Sequence, residues 1–286
     1  MSFLKLFNIY HNRLASAKII NKIDDSFFSS MNFKKFNELQ NLKDNGHIII
    51  KNFLNKEEIA NLVKKYEKKK YTYDESIFSI LKKVEQNLYP IISGYLSENA
   101  VLYKSAFHNA DKEMGSNTSN NWHTDCLGHK LNVFFILKKE GEVPTCYVNE
   151  SHKKPFKPNL IEDLRQIKKG IINIERRNKE IELKGEVGDA VVFDANGLHR
   201  GKYENCISTN FKRLAFTCNF IHKQKVYDLG YFKEQKYLLK KASKLSFRRS
   251  DKRIDITEAT SEQFKNLKFI DKKLIQENED SISYIG

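Results

Sequence analysis

With 286 residues, 40% of them hydrophobic and 30% charged, the chain has the composition of a folded globular protein, which excludes global disorder. The formal net charge of +14 is unevenly placed: between Lys223 and Arg253 eleven Lys or Arg stand against three Asp or Glu. The longest apolar runs, such as Leu131 to Leu137, are far shorter than the roughly 20 residues of a membrane-crossing helix.

Residues 1–38 contain apolar residues without sustained periodicity, so a helical or irregular N-terminal extension is expected. The opening MSFLKLFNIYHNRLASAKII has scattered charges and no apolar stretch before a small-residue cleavage site, which argues against a secretory leader and for a cytoplasmic location. At Gly46 the texture changes. GHIIIKNFL reads as a short strand, and Asn55 followed by Glu58 forms a capping-box pattern that predicts a helix start. In that helix Ile59, Leu62, Val63 and Tyr66 share one face. A second helix is expected from Asp74, with Ile77, Ile80, Leu81, Val84 and Leu88 on one stripe.

Between residues 100 and 221 the chain becomes a series of short apolar segments, VLYKSAF, LNVFFIL, TCYV, DAVVF and FKRLAFTCNFIH, which is the signature of a β-sandwich or barrel. Near-continuous apolar segments predict strands covered on both faces, with helices as the outer cover. Beyond residue 222 the pattern turns basic and helical, with an amphipathic candidate around Phe264, Leu267, Ile270 and Leu274. The basic stretch 223–253 could meet an anionic surface by long-range attraction, and a solvated lysine-rich face is the plainer reading. Cys126, Cys146, Cys206 and Cys218 show neither zinc-type pairing nor the density of a disulfide scaffold, so reduced thiols are expected.

The segment NNWHTDCLGH places His123 and Asp125 two residues apart. On a strand such residues share a face, so both side chains can aim into one cavity. A Gly-Asp turn and short strand, GDAVVFDANGLHRG, then lead to His199, 74 residues after Asp125. A lone histidine is more often structural, yet two imidazoles and one carboxylate together are the facial triad of non-haem iron sites. Fourteen residues further, Arg213 lies in a strand-like segment whose alternation sets Arg213, Ala215 and Thr217 on one face and Leu214, Phe216 and Cys218 on the other. A buried guanidinium needs an anionic partner, which an ordinary salt bridge or the far carboxylate of a dicarboxylic acid can supply.

These residues resemble the phytanoyl-CoA dioxygenase family of iron(II)- and 2-oxoglutarate-dependent oxygenases. The likeness is carried by Trp122-His123-Thr124-Asp125, Glu150-Ser151-His152, Gly188-Asp189 through Phe193-Asp194 to His199, and Arg213, and it spans residues 39–221. Two departures stand out. Glu150 replaces the Gly of the usual Gly-Ser-His turn, which predicts a local backbone difference, and Arg200-Gly201 follows His199 where many relatives carry a small hydroxyl residue.

The resemblance implies a mainly β fold with flanking helices, a double-stranded β-helix (jelly roll) core over residues 39–222, with 1–38 and a basic, mainly helical 223–286 as extensions. It implies Fe(2+) held by His123, Asp125 and His199, 2-oxoglutarate held by Arg213, and O2 as oxidant. The expected reaction is hydroxylation of an unactivated C–H bond in a small or carrier-linked, possibly anionic metabolite, with release of succinate and CO2. Asp125 argues against a halogenase, whose members lack that carboxylate. A non-catalytic jelly-roll binding protein is the alternative of a different class. A nucleic-acid-modifying oxygenase is less favoured, because no Arg follows Arg213 before residue 248. Lys104, on the strand before the His-x-Asp segment, could face the site. The other histidines, His11, His47, His108, His129, His152 and His222, are expected to be structural, and pairing of His129 with His123 on a metal is disfavoured by their spacing.

Overall fold

Antiparallel pairing builds both sheets of the computed structural model, which describes residues 16–26, 37–68, 74–111, 122–125, 128–141, 144–156, 180–201, 212–228, 252–254 and 262–271. Among these, the larger sheet runs β1 (His47–Ile50), β6 (Ala190–Asp194), β3 (Lys130–Glu140), β8 (Lys212–His222), β2 (Ala100–Asp111) and β9 (Lys252–Ile254). The smaller runs β5 (Glu180–Leu183), β4 (Thr145–Val148) and β7 (His199–Gly201). His123 adds a bridge to His199, so the His-x-Asp segment lies beside β7 as the next strip of the smaller sheet. Two facing antiparallel sheets between which the chain alternates are a jelly roll, and the expected β-rich core with flanking helices is present.

Strand alternation sorts each apolar run into two cores. Ile136, Val191, Phe193, Ala215, Tyr147 and Leu183 meet between the sheets. Val133, Phe135, Val192, Phe216, Cys218 and Phe220 face the opposite way, against the helices. LNVFFIL is therefore apolar at every position but Asn132 because both of its faces are covered.

The helical layer starts where the sequence specifies it. In α3 (Lys56–Glu67) the Glu58 amide donates to the Asn55 side chain at 2.9 Å, and the Asn55 amide donates to the Glu58 carboxylate at 2.7 Å, closing the predicted box. Asp74 caps α4 (Glu75–Asn87), which buries Ile77, Ile80, Leu81 and Val84. Each such side chain contributes on the order of 1.5–3 kcal/mol when fully buried. The expected stripe is present, its last member Leu88 being the buried C-cap of α4, and there the chain restarts as α5 (Tyr89–Leu96), with Pro90 in its first turn. Pro lacks a backbone N–H, which costs little at a helix start and much in its interior. Helix α2 (Asn37–Asn45), burying Leu39 and Leu42, precedes β1 where the sequence shows too short a pattern to reveal it. A helix over 16–26, α1, lies within the N-terminal stretch.

Within 223–286, expected as a basic and mainly helical extension, the described residues hold α6 (Lys223–Asp228), β9 and α7 (Glu262–Lys265). β9 pairs with β2, while Phe264, Leu267, Phe269 and Ile270 join the helix-side core. The expected helical stripe is thus a short helix followed by turns, with Leu274 and most of the basic segment, 229–251, outside the described residues. Cys146 and Cys218 are buried free thiols. No helix among the described residues is long and apolar enough to cross a membrane.

One side chain spans the sheets near β7. Tyr147 of β4 is fully buried and donates from its hydroxyl to the Asp194 carbonyl at 3.0 Å. Its phenol occupies the space beside Gly46 and Gly197, where an added methyl group would overlap the hydroxyl.

Candidate metal centre and anion pocket

The three residues singled out from sequence converge: the ligand atoms of His123, Asp125 and His199 all lie within 4.8 Å of one another. Asp125 Oδ1 stands 3.9 Å from Nε2 of each histidine. Ligands about 2.1 Å from a shared ion at right angles sit about 3 Å apart, so each carboxylate–imidazole contact needs to close by only about 1 Å to hold one.

Backbone pairing sets this geometry. The His123 amide donates to the His199 carbonyl at 3.0 Å and the reverse bond is 2.9 Å, which brings the ring centroids to 4.3 Å. The Asp125 amide donates to Ala195 at 2.8 Å, in the turn that leads to His199. His199 Nδ1 lies 2.9 Å from the Gly197 carbonyl. Only an N–H makes that contact favourable, so Nε2 is left with its lone pair directed at Asp125, as a metal ligand requires. Burial, reinforced by neighbouring His123, pushes the His199 pKa down to about 4, so the ring is a neutral donor at pH 7.

Asp125 has its own partners. Its Oδ2 accepts from the Lys130 ammonium and, at 3.3 Å, from the Asn132 amide. Burial works to raise its pKa, but Lys130 and the two imidazoles outweigh that and hold the carboxyl well below the usual carboxylate range. Asn132 Oδ1 accepts in turn from Asn219 at 2.5 Å. Sequence reasoning did not mark Lys130, Asn132 or Asn219. Their signal was polar residues inside otherwise apolar strands, at alternate positions on β3 and in register across to β8.

The turn before His199 is anchored by Asp194, which is fully buried. Tyr95 donates to its Oδ2 at 2.6 Å, His129 pairs with the same oxygen, and the Asn196 amide donates to Oδ1 at 2.8 Å. Burial alone would raise the Asp194 carboxyl, but His129 and these donors lower it to about 2. His129 therefore turns toward Asp194 and joins no metal cluster among the described residues.

The remaining motif residues serve as supports. Ser151 Oγ accepts from the Leu198 amide at 2.8 Å, and Asn196 donates to the carbonyls of His152 and Lys154, both at 2.8 Å. Asp189 binds the Glu186 and Asn52 amides at 2.8 and 2.9 Å and the Lys51 ammonium at 2.8 Å. Gly188 adopts φ +95°, and a Cβ there would stand 2.9 Å from the Leu54 carbonyl. Glu150 adopts φ 64°, ψ −2°, the left-handed conformation that a glycine reaches without strain. Arg200 points away from His199, as alternation requires, stacking 4.8 Å from the Trp122 ring and pairing with Glu180 at 3.4 Å.

Arg213 lies between the sheets at 6% exposure. Its Nη1 donates to Thr145 Oγ1 at 3.3 Å, and its guanidinium stands 5.7 Å from the Phe134 ring centre. A cleft there is lined by Phe134, Ile136, Thr145, Leu183, Val191 and Arg213. The three candidate metal ligands do not line this cleft, but aromatic contacts connect the two places: Phe134 to Phe193 at 5.5 Å, and Phe193 to His199 at 5.1 Å. Lys104 pairs in register with Asn219, hence on the interior face of β2.

No family model matches the chain, and no curated protein matches it by sequence. Solved structures resembling it include HygX from Streptomyces hygroscopicus with nickel and 2-oxoglutarate bound, at 13% identity, TM-score 0.46, covering 64% of this chain and 85% of that one. EctD from S. alaskensis with bound Fe gives 13% identity, TM-score 0.48 and 68% and 82% coverage. The non-heme alpha ketoglutarate dependent epimerase SnoN from nogalamycin biosynthesis gives 12% identity, TM-score 0.46 and 64% and 79% coverage.

Proposed function

We propose that this chain is an iron(II)- and 2-oxoglutarate-dependent oxygenase that hydroxylates a C–H bond of a small or carrier-linked metabolite. The observation that carries the reading is the approach of His123, Asp125 and His199 to within 4.8 Å from three separate backbone positions. Two imidazoles and one carboxylate suit a divalent first-row metal and leave positions open for other ligands. Bound there, iron with 2-oxoglutarate and O2 would supply an oxidising equivalent, with succinate and CO2 as by-products.

The chain's own residues would do the rest. His199 presents Nε2 because Gly197 takes its Nδ1–H. Arg213, with the Thr145 hydroxyl beside it, would take the far carboxylate of the co-substrate. Ile136, Leu183 and Val191 give that place apolar walls beside Lys139 and Lys184, and the lower local polarity would strengthen a charged pair. In this reading residues 39–222 form the oxygenase domain, its core completed by the C-terminal residues that pack on it.

The test is anaerobic absorbance. Wild-type protein with iron(II) and 2-oxoglutarate should develop a weak visible charge-transfer band that His123→Ala abolishes. A metal-loaded wild type without that band counts against the reading. Assaying succinate release across anionic metabolites then identifies the substrate.

A further inference from the structure

Asp125 offers its two oxygens to different partners. Oδ1 faces both imidazoles at 3.9 Å, whereas Oδ2 is turned away to the Lys130 ammonium and the Asn132 amide. Lys130 is itself fixed at several points. Its amide donates to Asp194 Oδ1 at 3.3 Å, its carbonyl accepts from Ala195 at 2.8 Å, and its ammonium lies 5.8 Å from the Tyr103 ring centre. Asn132 is held by Asn219 across the β3–β8 register. The same residue thus ties the Asp125 carboxylate to the turn that carries His199.

We infer that Lys130, backed by Asn132 and Asn219, is a positioning residue that keeps Asp125 a one-oxygen metal ligand. This rests on the proposed iron site. A carboxylate free to rotate can give both oxygens to one cation. In a facial site the second oxygen would occupy a position that a chelating co-substrate needs. A charge-assisted hydrogen bond to Oδ2, with an amide as second donor, opposes that rotation. Lys130 touches neither the metal nor the substrate in this scheme, and it acts through Asp125.

The probe is cobalt(II), which accepts the same ligand types as iron(II) and reports its coordination by visible absorbance. Lys130→Met should bind cobalt(II) within about threefold of wild type but with altered visible bands, and 2-oxoglutarate affinity of the cobalt-loaded protein should fall by about 10-fold or more, equivalent to about 1.4 kcal/mol. Lys130→Arg should restore most of that affinity. Lys138→Met, at an exposed lysine paired with Glu67 at 2.6 Å, should change nothing. A Lys130→Met protein with wild-type bands and wild-type 2-oxoglutarate affinity overturns the inference and leaves the metal site standing. Wild-type protein that takes up no cobalt(II) overturns both. Should Lys130→Met fail to fold, Asn132→Leu, which removes the second donor to the same oxygen, should weaken 2-oxoglutarate by about threefold or more, and unchanged affinity there overturns the inference equally.

Discussion

His123 and His199, 76 residues apart in the chain, exchange both of their backbone hydrogen bonds, at 3.0 and 2.9 Å. Directly opposed residues of an antiparallel pair put their side chains on the same face. The proximity of the two imidazoles is therefore a property of strand pairing and is in place before any ion arrives. At the proposed metal site, uptake would then need little ordering of the chain, which favours affinity.

Arg213→Ala should weaken 2-oxoglutarate binding to metal-loaded protein by at least about 30-fold, since truncating one partner of a buried charged pair costs about 2–5 kcal/mol. Metal affinity should move less than about threefold. Titrating each ligand separately checks the contrast, and equal losses in both titrations would make Arg213 a structural residue.

Glu150→Gly should stabilise the protein by about 0.5–1 kcal/mol. Left-handed backbone costs an L-residue about 1–2 kcal/mol, and the added freedom of glycine in the unfolded chain returns part of that. Urea unfolding of the two proteins measures the difference, and a less stable Gly variant refutes it.

Lys225 and Asp24 form a buried ion pair between α6 and α1. Burial lowers the lysine pKa and raises the aspartate pKa despite their mutual attraction. Lys225→Met alone should cost about 3–5 kcal/mol by leaving a buried carboxylate without its cation, whereas Asp24→Leu with Lys225→Met should recover most of it. A double-mutant cycle in urea tests this. A double variant as unstable as the single one would show that the pair itself stabilises the fold.

Acid should destabilise the apoprotein in two stages. Burial lowers the pKa of His47 and His152 from 6.5, so below pH 6.5 the unfolded state binds more protons and stability falls as pH falls. Asp194 is depressed from 3.8 to about 2. Its contribution, about 2 kcal/mol, is complete above pH 3.8 and is lost as pH falls through 2. Urea midpoints should therefore decline between pH 7.5 and 5, and Asp194→Asn should flatten the steeper decline below pH 4. A midpoint that rises on acidification from pH 7 would contradict the assignment.

Much of this molecule is written in local pattern. The Asn55 box, the Asp74 cap, the two-sided LNVFFIL strand and the face of Arg213 all follow from rules that act within a few residues, and each holds in three dimensions. What did not follow is set by contacts distant in sequence. Helix α2 takes its stability from packing against α5 and β1. Lys130 and Asn132 stand out as alternate polar positions on an apolar strand, but that pattern does not name Asp125 as their partner. Glu150 is a further case: its left-handed backbone is held by the bonds around it, and the side chain accepts the strain.

The phenol of Tyr147 gives the sandwich a fixed thickness where His199 stands. Because an added methyl group at Gly46 or Gly197 would overlap the Tyr147 hydroxyl, a bulkier residue at either place would press on that ring beside β7. In the proposed metal site, a substitution at Gly46 would then disturb the seat of His199, although Gly46 contributes no ligand atom at all.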